Sequence, residues 1–206
     1  MTVLYFVNPV KGAAAHIVSG ELGWIDTPRQ GNRRPPGVVW CADNGCYSDS
    51  FDQDRWWTWL QKNSPDNCRF ATAPDVVGNH QQTLHRSLPW LPRIKDLGYP
   101  AAFVAQDGAT PDNVPWNDID ALFLGGTTMF KLGPQASALI SEARRRNLWV
   151  HAGRVNSKKR YFAFAALGCD SCDGTYLTYG PQINLPKLLS WVREYRQQHP
   201  LFEVGP

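Results

Sequence analysis

Val38-Val39-Trp40-Cys41-Ala42-Asp43-Asn44-Gly45 sets five apolar residues directly against a turn that opens on a carboxylate. Three other stretches repeat the arrangement: Phe70-Ala71-Thr72-Ala73-Pro74-Asp75, Ala101-Ala102-Phe103-Val104-Ala105-Gln106-Asp107-Gly108 and Cys169-Asp170-Ser171-Cys172-Asp173. Runs this short, rich in β-branched and aromatic residues and closed by Asp, Pro or Gly, are strand signals. Residues 3–7, 121–124 and 148–151 read the same way. Helical patterns fall between them. They cover residues 52–62, with Trp56, Trp57, Trp59 and Leu60 at near-helical spacing, and residues 79–97, interrupted by Pro89 and Pro92 and stopped at Gly98. Further helices are expected at 134–146, 157–167 and 185–198.

Strand followed by helix, at least six times over, implies a parallel sheet with right-handed crossovers. Seven strands and a weaker eighth at 175–178 predict an α/β fold, a compact (β/α)8 TIM-type barrel with an irregular or missing unit, in preference to an open doubly wound sheet. A single domain is expected over residues 1–206, with one long loop at 11–36. That stretch is rich in Gly, Pro, Arg and Gln and shows little periodicity, as a functional or mobile loop would.

At 206 residues, 43% hydrophobic and 19% charged, the chain is ordinary for a globular protein and unlike a disordered one. A net charge of +3 permits nucleic-acid binding without demanding it. Positive charge gathers at Arg33-Arg34, Arg144-Arg145-Arg146 and Lys158-Lys159-Arg160. Five cysteines, an odd number, argue against a disulfide framework. The opening run is too short for a secretion signal, and no stretch has the roughly 20 apolar residues of a membrane span. A cytoplasmic protein with no membrane partner is expected.

In a parallel barrel, function collects at the C-terminal strand ends. Those ends carry Asp43, Asp75, Gln106, Gly125-Gly126, Gly153 and Asp173. Each alone is an ordinary turn former. Together they would bring three carboxylates and an amide to one mouth.

From Val38 to Leu189 the sequence resembles the tRNA-guanine transglycosylases and their phage and bacterial DNA-directed relatives, the DpdA-like enzymes. Ala42-Asp43-Asn44-Gly45 is similar to the family's Ser-Asp-Ser-Gly-Gly, and Ala73-Pro74-Asp75 follows in order. Val104-Ala105-Gln106-Asp107-Gly108 looks like its Val-Gln-Gly strand end, and Gly125-Gly126-Thr127 like its Gly-Gly-Leu turn. Val150-His151-Ala152-Gly153-Arg154-Val155 falls where the family has Leu-Met-Gly-Val-Gly, and Gly168-Cys169-Asp170-Ser171-Cys172-Asp173 resembles Gly-Val-Asp-x-Phe-Asp.

The resemblance implies base exchange through a covalent glycosyl–carboxylate intermediate, the logic of a retaining glycosidase. Asp173 would be the nucleophile and Asp43 the general acid/base. Asp75 would accept the N–H groups of a guanine-like base, while Gln106 and Gly125-Gly126 would serve its carbonyl. His151 and Gly153 would complete the base site. Asp170, three residues before Asp173, is the rival nucleophile and reads as structural. No cofactor and no metal is expected. The family's C-terminal zinc ligands have no counterpart after Asp173, and Cys169 and Cys172 form a lone pair, too few for a structural zinc site. At strand positions three apart they are expected to face opposite sides and to be buried thiols.

The missing zinc subdomain shifts the expected partner from tRNA to DNA, with a 7-deazaguanine base, such as the 7-cyano form, as small-molecule substrate. Phosphate contacts are expected from Arg29, Arg33 and Arg34 on the 11–36 segment and from Lys158, Lys159 and Arg160. Base exchange on tRNA, removal of a base without replacement, a nucleic-acid-binding barrel without catalysis, and a barrel enzyme for a small molecule remain as alternatives.

Overall fold

A computed structural model describes residues 3–48 and 51–199; the remainder of the 1–206 span lies outside the described residues. Eight parallel strands close into a barrel in chain order: β1 (Leu4–Val7), β2 (Gly23–Asp26), β3 (Trp40–Ala42), β4 (Cys68–Thr72), β5 (Ala101–Ala105), β6 (Ala121–Leu124), β7 (Trp149–Ala152) and β8 (Ser171–Asp173). The ring closes where β1 pairs with β8, Leu4 opposite Ser171 and Phe6 opposite Asp173. The TIM-type barrel expected from the strand–helix alternation is the observed fold.

Among the described residues eight helices accompany the strands: α1 (Ala14–Val18), α2 (Gln53–Lys62), α3 (His80–Ser87), α4 (Leu91–Asp96), α5 (Thr128–Lys131), α6 (Pro134–Arg145), α7 (Lys158–Ala166) and α8 (Pro181–Gln198). Side chains from Asp52, Asn79, Thr127 and Ser157 accept hydrogen bonds from the first free backbone N–H groups of α2, α3, α5 and α7. Such caps stabilise a helix start by about 1 kcal/mol each. The barrel stays short because β2 leads into β3 without a helix, and only a 3₁₀ turn (Trp116–Asp118) separates β5 from β6.

Alternation along the strands sorts the core into two layers. Phe6, Ile25, Cys41, Phe70, Ala102 and Ala121 fill the barrel interior, with Phe123 and Trp149 against them. Their neighbours Tyr5, Trp24, Trp40, Phe103, Leu122 and Val150 face outward into the helix layer. Phe6 and Phe123 each meet Phe70 edge-on, at 6.0 and 6.1 Å between ring centres. These rings form an apolar plug beneath the C-terminal strand ends.

Three expectations fail here. Residues 11–36 are not one loop: they contain α1 and β2. Four residues, Gly-Trp-Ile-Asp, are too few to show a period; pairing with β1 on one side and β3 on the other makes them a strand. The weaker eighth strand at 175–178 is a turn, with the Thr178 N–H donating to the Thr175 carbonyl. Cys169 precedes β8 instead of lying within it, so Cys169 and Cys172 both sit in the helix-facing cluster as buried free thiols. No helix among the described residues is long and apolar enough to cross a membrane.

Candidate active site

The strand ends enclose a cavity of about 470 Å³, within the usual range for small-molecule sites. Asp43, Asp75, Gln106, Gly125, Gly126, Gly153 and Asp173 all line it, as do Asn8, Gln30, Asn44, Tyr47, Thr72, Arg154 and Asn156. The convergence read from turn residues is therefore physical. Every strand or its C-terminal end contributes at least one lining residue to the same mouth.

Asp75 is held on both oxygens. Asn44 Nδ2 donates to its Oδ1 at 2.9 Å, and Gln106 Nε2 to its Oδ2 at 2.6 Å. The second partner of Asn44 Nδ2 is the Ala73 carbonyl at 2.7 Å, and Gln106 Oε1 accepts from the Gly78 N–H at 2.9 Å. All three side chains are buried. Burial raises the Asp75 carboxyl above its ordinary range, against the pull of Asn44 and Gln106. A carboxylate has about four acceptor sites, so a ligand bringing two N–H donors would meet unused lone pairs.

Asp43 accepts from the Gly45 N–H at 3.0 Å. Burial, then the nearby charges of Asp173 and Asp75, push its carboxyl from 3.8 up to about 7. A group that gains and loses a proton near neutrality suits general acid/base work.

Asp173 Oδ1 accepts from the Arg154 N–H at 3.1 Å and lies 3.2 Å from His151 Nε2. Asp170 does not compete with it. Its carboxylate pairs with Arg144 at 2.9 Å and accepts from the Val150 N–H at 2.8 Å, at the far end of β8. That is a structural role, as expected.

Gly125 and Gly126 are required as glycines. A Cβ on Gly125 would lie 2.7 Å from Gln106 Nε2, and one on Gly126 would lie 2.6 Å from Asp107 Oδ2. Gly126 also has φ of +71°, a conformation that side chains disfavour. The Arg154 guanidinium donates to the Gly126 carbonyl, and Asp107 accepts from the Thr127 N–H at 2.8 Å and hydroxyl at 2.6 Å.

Three expectations need correction. His151 does not line the cavity; it is fully buried below it, with Nε2 3.2 Å from Asp173 Oδ1. Arg34 turns inward, pairing with Asp26 at 3.1 Å and stacking on Trp40 at 3.4 Å, because Asp26 is a buried carboxylate needing a partner. Lys158 pairs with Glu194 of α8 at 2.6 Å, on the outer wall. Arg29, which donates to Ser48 Oγ at 2.8 Å, belongs to the segment whose Thr27 and Gln30 line the cavity. Arg33 and Lys159 are exposed and Arg160 half-buried; of the six cations, Arg34 and Lys158 are engaged by carboxylates of this chain.

Residue-by-residue reading missed Lys131 and Arg154. Lys131 is buried and donates to the Gly153 carbonyl; burial, then the charge of Arg154, lowers its ammonium to about 8. Arg154 sits in a left-handed conformation at φ +58°, a strain of about 1–2 kcal/mol for a side-chain-bearing residue. Its backbone N–H on Asp173 and guanidinium on Gly126 hold it there. The only sequence signal was a basic residue immediately after a Gly strand end.

No family model and no curated protein matches the chain. Among solved structures it is similar to tryptophan synthase from M. tuberculosis in a ligand-free form, at 12% identity and a TM-score of 0.58, covering 94% of this chain and 91% of that one. Phosphoribosyl anthranilate isomerase from Thermus thermophilus matches at 14% identity and a TM-score of 0.56, covering 94% and 100%. The 3-hexulose-6-phosphate synthase from Salmonella typhimurium matches at 13% and 0.55, covering 95% and 100%. At such identities the likeness establishes the TIM-barrel fold alone.

Proposed function

We propose that this chain is a guanine transglycosylase that exchanges guanine in DNA for a 7-deazaguanine base, such as the 7-cyano form. The observation that carries the reading is the meeting of Asp43, Asp75 and Asp173 with Gln106 in one cavity, each at the strand end where the family resemblance expects it.

Asp75 and Gln106 present acceptors beside donors, the complement of a purine edge that carries N1–H, an exocyclic amine and a carbonyl. Bases lacking that pattern would leave these buried groups unpaired, a penalty that gives strong discrimination. A carboxylate oxygen of Asp173 attacks C1′ of the target nucleotide. The C1′–N9 bond breaks with its electron pair going to the base, and Asp43 in its protonated form supplies a proton to the departing guanine. The incoming base then loses its N9 proton to Asp43, attacks C1′ and returns the bonding pair to Asp173. Asp43 ends each cycle protonated, which fits a carboxyl poised near 7. A nucleotide in duplex DNA must leave the stack to reach this cavity.

The test is mass spectrometry of nucleosides from DNA and from tRNA after co-expression with a supply of the 7-deazaguanine base. Modified deoxyguanosine in the DNA fraction supports the proposal. Modification confined to tRNA, or absent from both, overturns it.

A further inference from the structure

The nucleophile read above stands on a buried polar chain. Trp149 Nε1 donates to Ser171 Oγ at 2.8 Å, Ser171 Oγ lies 2.9 Å from His151 Nδ1, and His151 Nε2 lies 3.2 Å from Asp173 Oδ1. His151 and Ser171 are fully buried. The His151 ring is packed by Phe123, Phe70 and Phe6 at 4.5, 5.0 and 5.9 Å between centres.

One arrangement of hydrogens satisfies every atom of the chain. Indole N–H can only donate, so Ser171 Oγ is an acceptor towards Trp149. His151 Nδ1 is the one acceptor the chain offers the Ser171 hydroxyl hydrogen, and any ring carrying a proton on Nδ1, neutral or doubly protonated, would leave that hydrogen without an acceptor in the chain. An ionised Asp173 can only accept, so His151 Nε2 carries the ring proton. In the opposite tautomer a bare ring nitrogen would face a carboxylate, and the hydroxyl hydrogen would have no acceptor in the chain.

We infer that the Trp149–Ser171–His151 chain is a positioning relay that fixes His151 as the Nε2–H tautomer and thereby holds Asp173 Oδ1, so that Oδ2 is the attacking oxygen. Two donors fall on the same oxygen, His151 from below and the Arg154 N–H from the mouth. The carboxylate plane is set before substrate arrives, and displacement of a reacting group by about 1 Å costs on the order of 100-fold in rate. This role rests on Asp173 being the nucleophile; the tautomer does not.

Two measurements on the full chain separate these layers. In ¹⁵N-histidine-labelled protein, NMR reads the protonation of each ring nitrogen without any substrate. The relay expects His151 neutral and protonated on Nε2, with that N–H signal displaced in Asp173→Asn, and mixed tautomers in Ser171→Ala. A proton on Nδ1 in the parent protein overturns the relay whether or not the protein is a transglycosylase. In exchange assays, His151→Met should lose about 100-fold in kcat with KM for the incoming base little changed, whereas His151→Gln, whose amide keeps a donor near the Nε2 position, should recover most of it. Thermal melts check that both variants fold. A His151→Met variant with parental kcat, or a loss confined to KM, refutes positioning. An inactive parent protein with the Nε2–H tautomer intact sinks the transglycosylase reading and leaves the hydrogen-bond assignment standing.

Discussion

Replacing Asp43 with asparagine removes one of three carboxylates from the cavity while keeping the side chain's shape. The oxygen that accepts the Gly45 N–H at 3.0 Å is retained. In the parent protein this carboxyl is raised from 3.8 to about 7, first by burial and then by Asp173 and Asp75. In the unfolded chain it returns to its ordinary value. Below about pH 4 both states are protonated and Asp43 contributes nothing to the pH dependence of stability. Between about pH 4 and 7 the folded state keeps a proton that the unfolded state has lost, so stability falls as pH rises. Three units correspond to ~4 kcal/mol at about 1.36 kcal/mol per unit, fully felt above pH 7. Asp43→Asn should therefore match the parent at about pH 4 and exceed it by up to ~4 kcal/mol at about pH 8. For a domain of this size that is a rise in Tm of about 8–16 °C. Urea melts at the two pH values measure it, and base exchange should be lost at both. A variant that is less stable at the higher pH, or whose advantage is the same at both, would refute the account of Asp43 as a carboxyl strained by burial and its neighbours.

Asp173→Asn should abolish both exchange and any trapped covalent nucleic-acid adduct on denaturing gels, while retained turnover would remove Asp173 as nucleophile. Gln106→Leu strips a buried donor from Asp75 Oδ2, so kcat/KM for the incoming base should fall by roughly 10–100-fold, with a stability loss of about 1–3 kcal/mol in denaturant melts. Gly125→Ala sets a methyl group 2.7 Å from Gln106 Nε2; KM for the base should rise at least as much as in Gln106→Leu, read by steady-state kinetics. Neutralising Lys159 and Arg160 together should lower the slope of log K against log salt for DNA by up to about 2, whereas Arg34→Gln and Lys158→Gln, whose charges are engaged by Asp26 and Glu194, should leave it unchanged.

The local sequence was enough to determine the alternation of strand and helix and, with it, the barrel and seven of its strands. Short apolar runs ended by Asp, Gly or Pro report backbone preference directly, and helix starts at Asp52, Asn79 and Ser157 are legible because a capping side chain acts within three residues of itself. The strand ends also named the cavity's carboxylates, since a turn and a barrel mouth occupy the same position in the chain. What lies between distant elements was decided only by the tertiary structure. β2 exists because β1 and β3 hold its four residues. Arg34 and Lys158 point away from the mouth because Asp26 and Glu194, remote in sequence or hidden in a missed strand, capture them. His151 changes from a wall of the base site to a support for Asp173 because strand register sets it beside Ser171. The raised Asp43 carboxyl depends on burial in the closed barrel and then on the three-dimensional approach of Asp173 and Asp75. Backbone propensity is local and can be read along the chain; charge interaction and burial depend on distances that only closing the barrel creates.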